Sequence, residues 1–417
     1  MRLLIVFYLL IFLLSAPLLQ AEEKYLTLEA AVTEVLTANP DAQAARYRSE
    51  AAKARIPQAK ALEDPLVGVM FDDVPISTTN VKRSEEIDYR IEQKIPFPGK
   101  RHVLGRAARF EAMAVDEESR SRIRDVVRDL KNTYYDLYRL NRSLEVNQET
   151  QGLFRQLLGS SETAYGTGKT TAAVPLKTQV ELTRLGNEEI LLQQERTTHM
   201  SHLKALLNRH HATEDIQLPK ILAWPRLALS LEDVISVALK KRPELKEIEA
   251  MEKRDRSRVT AARQGLIPDL SLNFQYGQRP AAPDTWAGTA MINLPVFFWG
   301  KNRGAINEAK ASLKSTQAEG QSMVIHTRHE INQAYSAVRA SEKIVKRYEN
   351  GLLPQAKTAL KAARLGYSTG AVDFMTLIDA ARMSKEIQID YFKNQAMLGT
   401  SFTELERLTG TDLEEKQ

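Results

Sequence analysis

Residues 164–171, AYGTGKTT, close on the Gly-Lys-Thr that ends a phosphate-binding loop. Such a loop cradles phosphate oxygens on backbone N–H groups while its lysine neutralises their charge. The full pattern needs a glycine five residues before Gly168, and that position is Thr163. It also needs a preceding strand, whereas residues 103–163 hold no proline and only three glycines, a helical composition. Nucleotide chemistry is therefore disfavoured. Six of the seven histidines fall in pairs: His199 with His202, His210 with His211, and His326 with His329. Imidazoles three apart share a helix face, but no carboxylate or thiolate completes a ligand set. Solvated histidines and no resident metal are expected. Neither HExxH nor GxSxG occurs, so no catalytic residues, no cofactor and no enzymatic activity are assigned.

Bulk composition narrows the class. The 417 residues carry 27% charged side chains and a formal charge of only +5, with Lys and Arg scattered. Nucleic-acid binding would want a basic stripe. The absence of cysteine removes disulfides, thiolate metal sites, a cysteine nucleophile and a lipidated cysteine. At the N-terminus Arg2 precedes the apolar run LLIVFYLLIFLL and a small residue, Ala21. Residues 1–21 read as a secretory signal peptide, with a retained membrane anchor as the alternative. Leu19 is large for its place before the cut, which leaves the cleavage point open.

The elements that must position any site are duplicated. LTLEAAVTEVLTANPDAQ at 26–43 returns as LSLEDVISVALKKRPELK at 229–246, and Pro65 returns as Pro268 at the same offset. IPFPGKR at 95–101 is answered by LPVFFWGKNR at 294–303, and AYGTGKTT at 164–171 by GYSTGAVD at 366–373. A first repeat is expected at 22–210 (helix, β-hairpin 65–96, long helices 100–209). A linker at 211–228 follows, then a second repeat at 229–410 (helix, hairpin 268–298, long helices 301–410) and a tail at 411–417. Ile87, Tyr89, Ile91 and Ile95 alternate with polar residues, as do Leu270, Leu272, Phe274 and Tyr276, and then Trp286, Ala290, Ile292 and Leu294. Segment 66–74 reads as a less regular strand. Heptad seams follow each hairpin: Ile123, Val127, Leu130, Tyr134, Leu137, Asn141, Leu144, and later Ile331, Ala334, Val338, Ser341, Val345, Tyr348, Leu352.

Ten-residue strands with one apolar face suit a membrane barrel as well as a soluble sheet packed on helices. Long helices supply no compact core for such a sheet, which favours the barrel. Closed membrane barrels take about eight strands or more, so four per chain require a homo-oligomer: two copies give eight strands and three give twelve.

These residues resemble the TolC-like outer-membrane efflux proteins, through the duplication, the QKIPFPGKR and NLPVFFWGKNR junctions, and the paired YGTG and YSTG turns. The resemblance implies a mainly α fold with a membrane β-barrel portion. Four strands per chain enter a shared 12-stranded barrel, and coiled-coil helices form a periplasmic α-barrel. It implies a homotrimer in outer-membrane lipid of a Gram-negative bacterium. A periplasmic adaptor and an inner-membrane pump of the resistance-nodulation-division type would be its partners, with no nucleic acid. Tyr165, Gly166, Thr167 and Gly168, with Tyr367, Ser368, Thr369 and Gly370, would form the adaptor-contacting tip. Asp379 and Thr376 would line the constriction, and an acidic ring of Asp379 would attract cations. Where the family often has another aspartate or an arginine, this chain has Thr376 and Val372. Pro96, Pro98, Gly99, Pro295 and Gly300 would mark the barrel–helix junctions. The PFPGK style also resembles members serving heavy-metal exporters. The competing expectation is an exported periplasmic coiled-coil scaffold without a channel. Deleting residues 66–95 should abolish outer-membrane insertion; a deleted protein still fractionating there as an oligomer contradicts the barrel.

Overall fold

The computed structural model describes residues 25–77, 79–81, 84–209 and 215–413. The signal segment 1–21, His210, His211 and tail residues 414–417 lie outside the described residues.

Each repeat opens with two helices broken at an Asn-Pro or Arg-Pro step. In the first, α1 (Leu28–Ala38) is capped by the Thr27 side chain, and α2 (Pro40–Lys60) by Asn39, with proline at its first position. The second half's pair, Leu231–Lys241 and Pro243–Gln264, repeats the device with Ser230 as its first cap. Between them run β1 (Leu66–Asp72), β2 (Glu86–Ile95), α3 (Lys100–Gly166) and α4 (Ala173–Leu206). The second pair becomes α5 and α6, followed by β3 (Leu270–Gln278) and β4 (Thr285–Ile292). A π-turn at Phe298–Asn302 leads into α7 (Arg303–Arg347), and a second at Tyr348–Leu352 into α8 (Leu353–Thr369) and α9 (Phe374–Thr409). At 1.5 Å per residue, the 67 residues of α3 reach roughly 100 Å.

The four strands form one antiparallel sheet in the order β1-β2-β3-β4. Its central pairing joins the two repeats, from Ile87 opposite Gln278 to Ile95 opposite Leu270. The helices nearest the sheet keep the same order: α2 packs on α3, α3 on α6, and α6 on α7. Farther along, α4 packs on α3, α3 on α9, and α9 on α7 and α8. Each strand therefore hands over to its own helix.

Among the apolar clusters along the helices, three are large. Ala31, Val35, Leu130, Tyr134 and Leu203 form one; Val234, Ile331, Val338, Phe402 and Leu405 another. Phe154, Leu157, Leu185, Phe374, Leu377 and Ile378 form the third. Where α3 crosses α9, a Cβ on Gly399 would come within 2.7 Å of the Tyr135 ring, so only glycine allows this approach.

The seams depart from strict heptads for identifiable reasons. Ile331, Ala334, Val338, Ser341 and Val345 are buried as expected, but Tyr348 is half-buried and Leu352 exposed. Burial resumes at Ala356 and Ala363, one residue later than the heptad dictates. The π-turn at Tyr348–Leu352 takes up that extra residue. On α3, Leu130, Tyr134 and Leu137 are buried, yet Leu140, Ser143 and Asn147 are more deeply covered than Asn141 and Leu144. Helix α3 has neighbours on both flanks, so it buries a wide face instead of a two-helix seam.

Glu247 of α6 is half-buried; desolvation, reinforced by Glu118 and Glu244 and opposed by Arg122, pushes its carboxyl up to about 7. A carboxyl raised in the folded state costs nothing below its ordinary value of 4.5 and destabilises as pH rises through 7. Glu247→Gln should therefore raise the thermal midpoint at pH 8 and leave it unchanged at pH 4, by circular dichroism in detergent. Equal shifts at both pH values would contradict this.

Candidate functional site: membrane face, junctions and helical tip

One face of the sheet is apolar and uncovered. Val67, Ile91 and Phe274 align across three strands, and Val69, Tyr89, Tyr276 and Trp286 across four. With Phe71, Leu272 and Ile292 they share one side, and every one is exposed, Trp286 at 74%. Covering what remains exposed of these side chains is worth roughly 8–15 kcal/mol. The opposite face carries Asp88, Arg90, Asn273, Gln275 and Thr289. There the Gln275 amide donates to Asp88 at 2.5 Å, and Arg90 donates to Gln275 at 3.3 Å. A sheet packed on helices in a soluble protein would bury its apolar side, whereas here that side is exposed. Strands β1 and β4 each leave one edge unpaired within the chain.

At the first junction Pro96 and Pro98 follow β2, and Gly99 (φ 98°) takes the N-cap position of α3. Lys100 locks this turn to the other repeat. Its Nζ donates to Asp269 Oδ1 at 2.7 Å and to the Ile267 carbonyl at 2.6 Å. The Phe97 N–H donates to the same aspartate oxygen at 2.8 Å. Sequence reading passed over Asp269, although the Gly-Lys pair repeated in both junctions was the available signal. At the second junction Pro295 follows β4, and Gly300 lies in the first π-turn. Phe297, Phe298 and Trp299 are exposed there, and each phenylalanine meets the Trp299 ring edge-to-face.

The two repeated turns are the same helix cap. Gly168 and Gly370 both adopt φ +73°. The Gly168 N–H donates to the Tyr165 carbonyl and the Lys169 N–H to that of Ala164; Gly370 to Tyr367 and Ala371 to Gly366 repeat the pattern. This is the Schellman arrangement, which satisfies the orphan carbonyls at a helix end. The N–H groups a phosphate would need are thus occupied in capping, and the preceding element is α3, not a strand. Thr167 and Thr369 hydroxyls donate to carbonyls of their own helices, as does Ser368. Tyr165 and Gly166 are exposed, whereas Tyr367 packs on Phe374 with ring centroids 5.3 Å apart.

Thr376 and Asp379 differ in their engagement. Asp373 caps α9, accepting the Thr376 N–H at 2.9 Å and its hydroxyl at 2.5 Å. Those bonds hold the exposed Asp373 carboxyl below the usual range. Asp379 is exposed and lies 3.4 Å from Arg382. Arg382 also reaches across to α4, donating from Nε to Glu181 Oε2 at 3.0 Å and from a terminal nitrogen to Oε1. Bonding to Glu181, against the opposing effect of desolvation, raises the guanidinium above its ordinary value. Lys385 pairs with Glu188 along the same two helices. Bidentate arginine–carboxylate pairs are among the stronger polar links, so this one ties the α4 and α9 hairpins together beside the third apolar cluster. No sequence spacing could have found it, since Glu181 and Arg382 lie 201 residues apart. Among the described histidines, His202 meets the Thr133 hydroxyl at 3.1 Å, and His326 and His329 are exposed. Among the described residues no group of three or more His, Cys, Asp or Glu side chains could hold a metal.

Residues 31–209 and 234–411 each match the sequence profile of the outer membrane efflux protein family. The chain belongs to that family. Among curated relatives it is 24% identical over 173 residues to the pyoverdine export outer membrane protein OpmQ of Pseudomonas putida, covering 40% of this chain and 36% of OpmQ. The chain thus spans little more than a third of that relative. With the probable outer membrane lipoprotein SilC of Salmonella typhimurium it shares 24% identity over 380 residues, covering 84% of this chain and 78% of SilC. The CmeC outer membrane channel of Campylobacter jejuni superposes with a TM-score of 0.79 at 16% identity, covering 94% of this chain and 87% of CmeC. That likeness is one of fold: this efflux-family chain has the strands of a membrane barrel continued by long helices, and its place is the outer membrane. Replacing Gly168 or Gly370 by alanine, where nothing lies within 4 Å, isolates backbone strain of about 1–2 kcal/mol. Amide exchange at residues 164–169 or 366–371 should accelerate about tenfold, with the sheet unaffected; unchanged exchange would contradict the cap.

Proposed function

We propose that this chain is the outer-membrane duct of a tripartite efflux system. Three copies share a twelve-stranded barrel, and their helices continue as a passive tube across the periplasm. The observation that supports this reading is the sheet: one exposed apolar face, an opposite face carrying Asp88, Arg90, Asn273 and Gln275, and two strand edges unpaired within the chain. In hydrocarbon each unpaired backbone group costs several kcal/mol, so the edges must be closed by other copies. Exposed apolar residues on the flanking helices, Val180 and Ile190 of α4 and Leu365 of α8, support side-by-side packing of copies along the tube. A soluble coiled-coil scaffold would leave all this surface in water.

The two repeats, 22–210 and 229–410, each contribute one tip turn. Tyr165–Gly168 and Tyr367–Gly370 form the end that meets a periplasmic adaptor, which links the duct to an inner-membrane pump of the resistance-nodulation-division type. Asp379 faces the constriction with its charge partly balanced by Arg382, and Thr376 holds the start of α9 beside it. The cargo reading is metal cations or small toxic compounds. The description of OpmQ as a pyoverdine exporter supports an export duct; the PFPGK junction favours metals. A strain lacking this protein should lose resistance to copper, silver or zinc salts, or to dyes and detergents, and regain it with the full chain. Sensitivity to metals alone fixes the cargo class; unchanged resistance to every compound would overturn the efflux reading.

A further inference from the structure

On the polar face of the sheet, oxygens from two strands converge where the strand between them has no side chain. Gly277 of β3 lies directly opposite Asp88 of β2 and Thr285 of β4, at the end of the sheet remote from the helical junctions. Glu86 stands two residues before Asp88 and so shares its face. A Cβ on Gly277 would come within 3.0 Å of Glu86 Oε1, Asp88 Oδ1 and Thr285 Oγ1. Gly277 is not among the glycines with positive φ, so no turn requires it; what it leaves is room between three oxygens. Asp88 is 2% exposed, and its Oδ1 has no hydrogen-bond partner, although Gln275 donates to Oδ2 at 2.5 Å. A buried carboxylate oxygen is costly to leave unmatched. Glu86 Oε1 is met only by the Thr285 hydroxyl at 3.5 Å, while its Oε2 accepts from Arg279 at 2.9 Å. Asp72 stands opposite Glu86 across β1 and β2, and like charges so placed repel unless a cation intervenes.

We infer that Glu86, Asp88 and Thr285 bind a calcium ion above Gly277. Two carboxylate oxygens and a hydroxyl are hard donors, the set that suits calcium or magnesium rather than a soft metal. Calcium tolerates an irregular oxygen shell completed by water, whereas magnesium demands a near-ideal octahedron. With two carboxylates and one hydroxyl, the set differs from a site built wholly of acidic or imidazole ligands, none of which occurs among the described residues. Each carboxylate already shares its second oxygen with Arg279 or Gln275. That sharing places the affinity at about 10⁻⁴–10⁻³ M, the range of extracellular calcium modules. The ligands come from β2 and β4 and enclose β3. Bound calcium therefore ties the two hairpins at the open end of the sheet, as Lys100 and Asp269 tie the repeats at the junction. The set lies within one chain and needs neither a ring of copies nor any cargo, so its failure would leave the duct reading untouched.

The full chain in detergent, stripped with a chelator and titrated with calcium chloride by isothermal calorimetry, should take up one calcium per chain in that range. Gly277→Ala keeps every charge and fills the cradle with a methyl group, and Asp88→Asn removes the buried charge. Each should weaken calcium binding about tenfold or more, since affinity follows ligand charge and fit, with the far-ultraviolet circular dichroism unchanged. Glu92→Gln, which removes a charge from the same face farther along β2, should bind as the unsubstituted chain does. Calcium should raise the thermal midpoint of the unsubstituted chain and of Glu92→Gln, and leave that of the two cradle variants where it was. Should one variant misfold, Thr285→Val tests the remaining ligand and should also weaken binding. No uptake at about 10 mM calcium, well above the expected range, overturns the site, and so does equal uptake by every variant. Magnesium at equal concentration should not displace the calcium; displacement overturns the assignment to calcium.

Discussion

A backbone amide in lipid has no water to fall back on, and the architecture follows from that constraint. Four strands in one chain satisfy three ladders and leave two edges open. The apolar side of the sheet faces away from every helix, so water cannot be its medium, and lipid cannot be its medium until the edges are paired. A chain built this way is a segment of a ring.

The duplication supplies the segment economically. Two hairpins joined by β2 and β3 set the curvature, and each strand passes into one helix in unchanged order. The long helices inherit the ring geometry, which is why α3 buries a wide face against flanking neighbours on both sides. Departures from regular helix fall where register must change. A π-turn after β4 turns out three aromatic residues, and another at Tyr348–Leu352 shifts the seam by one position. At the far end, matching glycine caps reverse the chain, and the Glu181–Arg382 pair ties one reversal to the other.

Much of this was legible in the sequence because it is local. Period-two runs such as Ile87, Tyr89 and Ile91 mark strands, and the two glycines at φ +73° were readable as turns because few other residues tolerate that conformation. Alternation alone could not say which side of the sheet meets water; only packing decides that. The seam after Val345 was misplaced because a π-turn has no clear signature in composition. At the start of α9, Thr376 bonds to Asp373, because a threonine three residues after an aspartate completes a helix cap. The Lys100–Asp269 and Arg382–Glu181 links join distant halves of the chain, beyond any local pattern.

Native mass spectrometry of the protein released from outer-membrane extracts tests the central claim most directly. Three copies in one complex, with no stable single chain until the detergent denatures the barrel, are expected if the sheet is one third of a ring. A folded single chain persisting in membrane-mimetic detergent, with its strand amides protected from exchange, would contradict it.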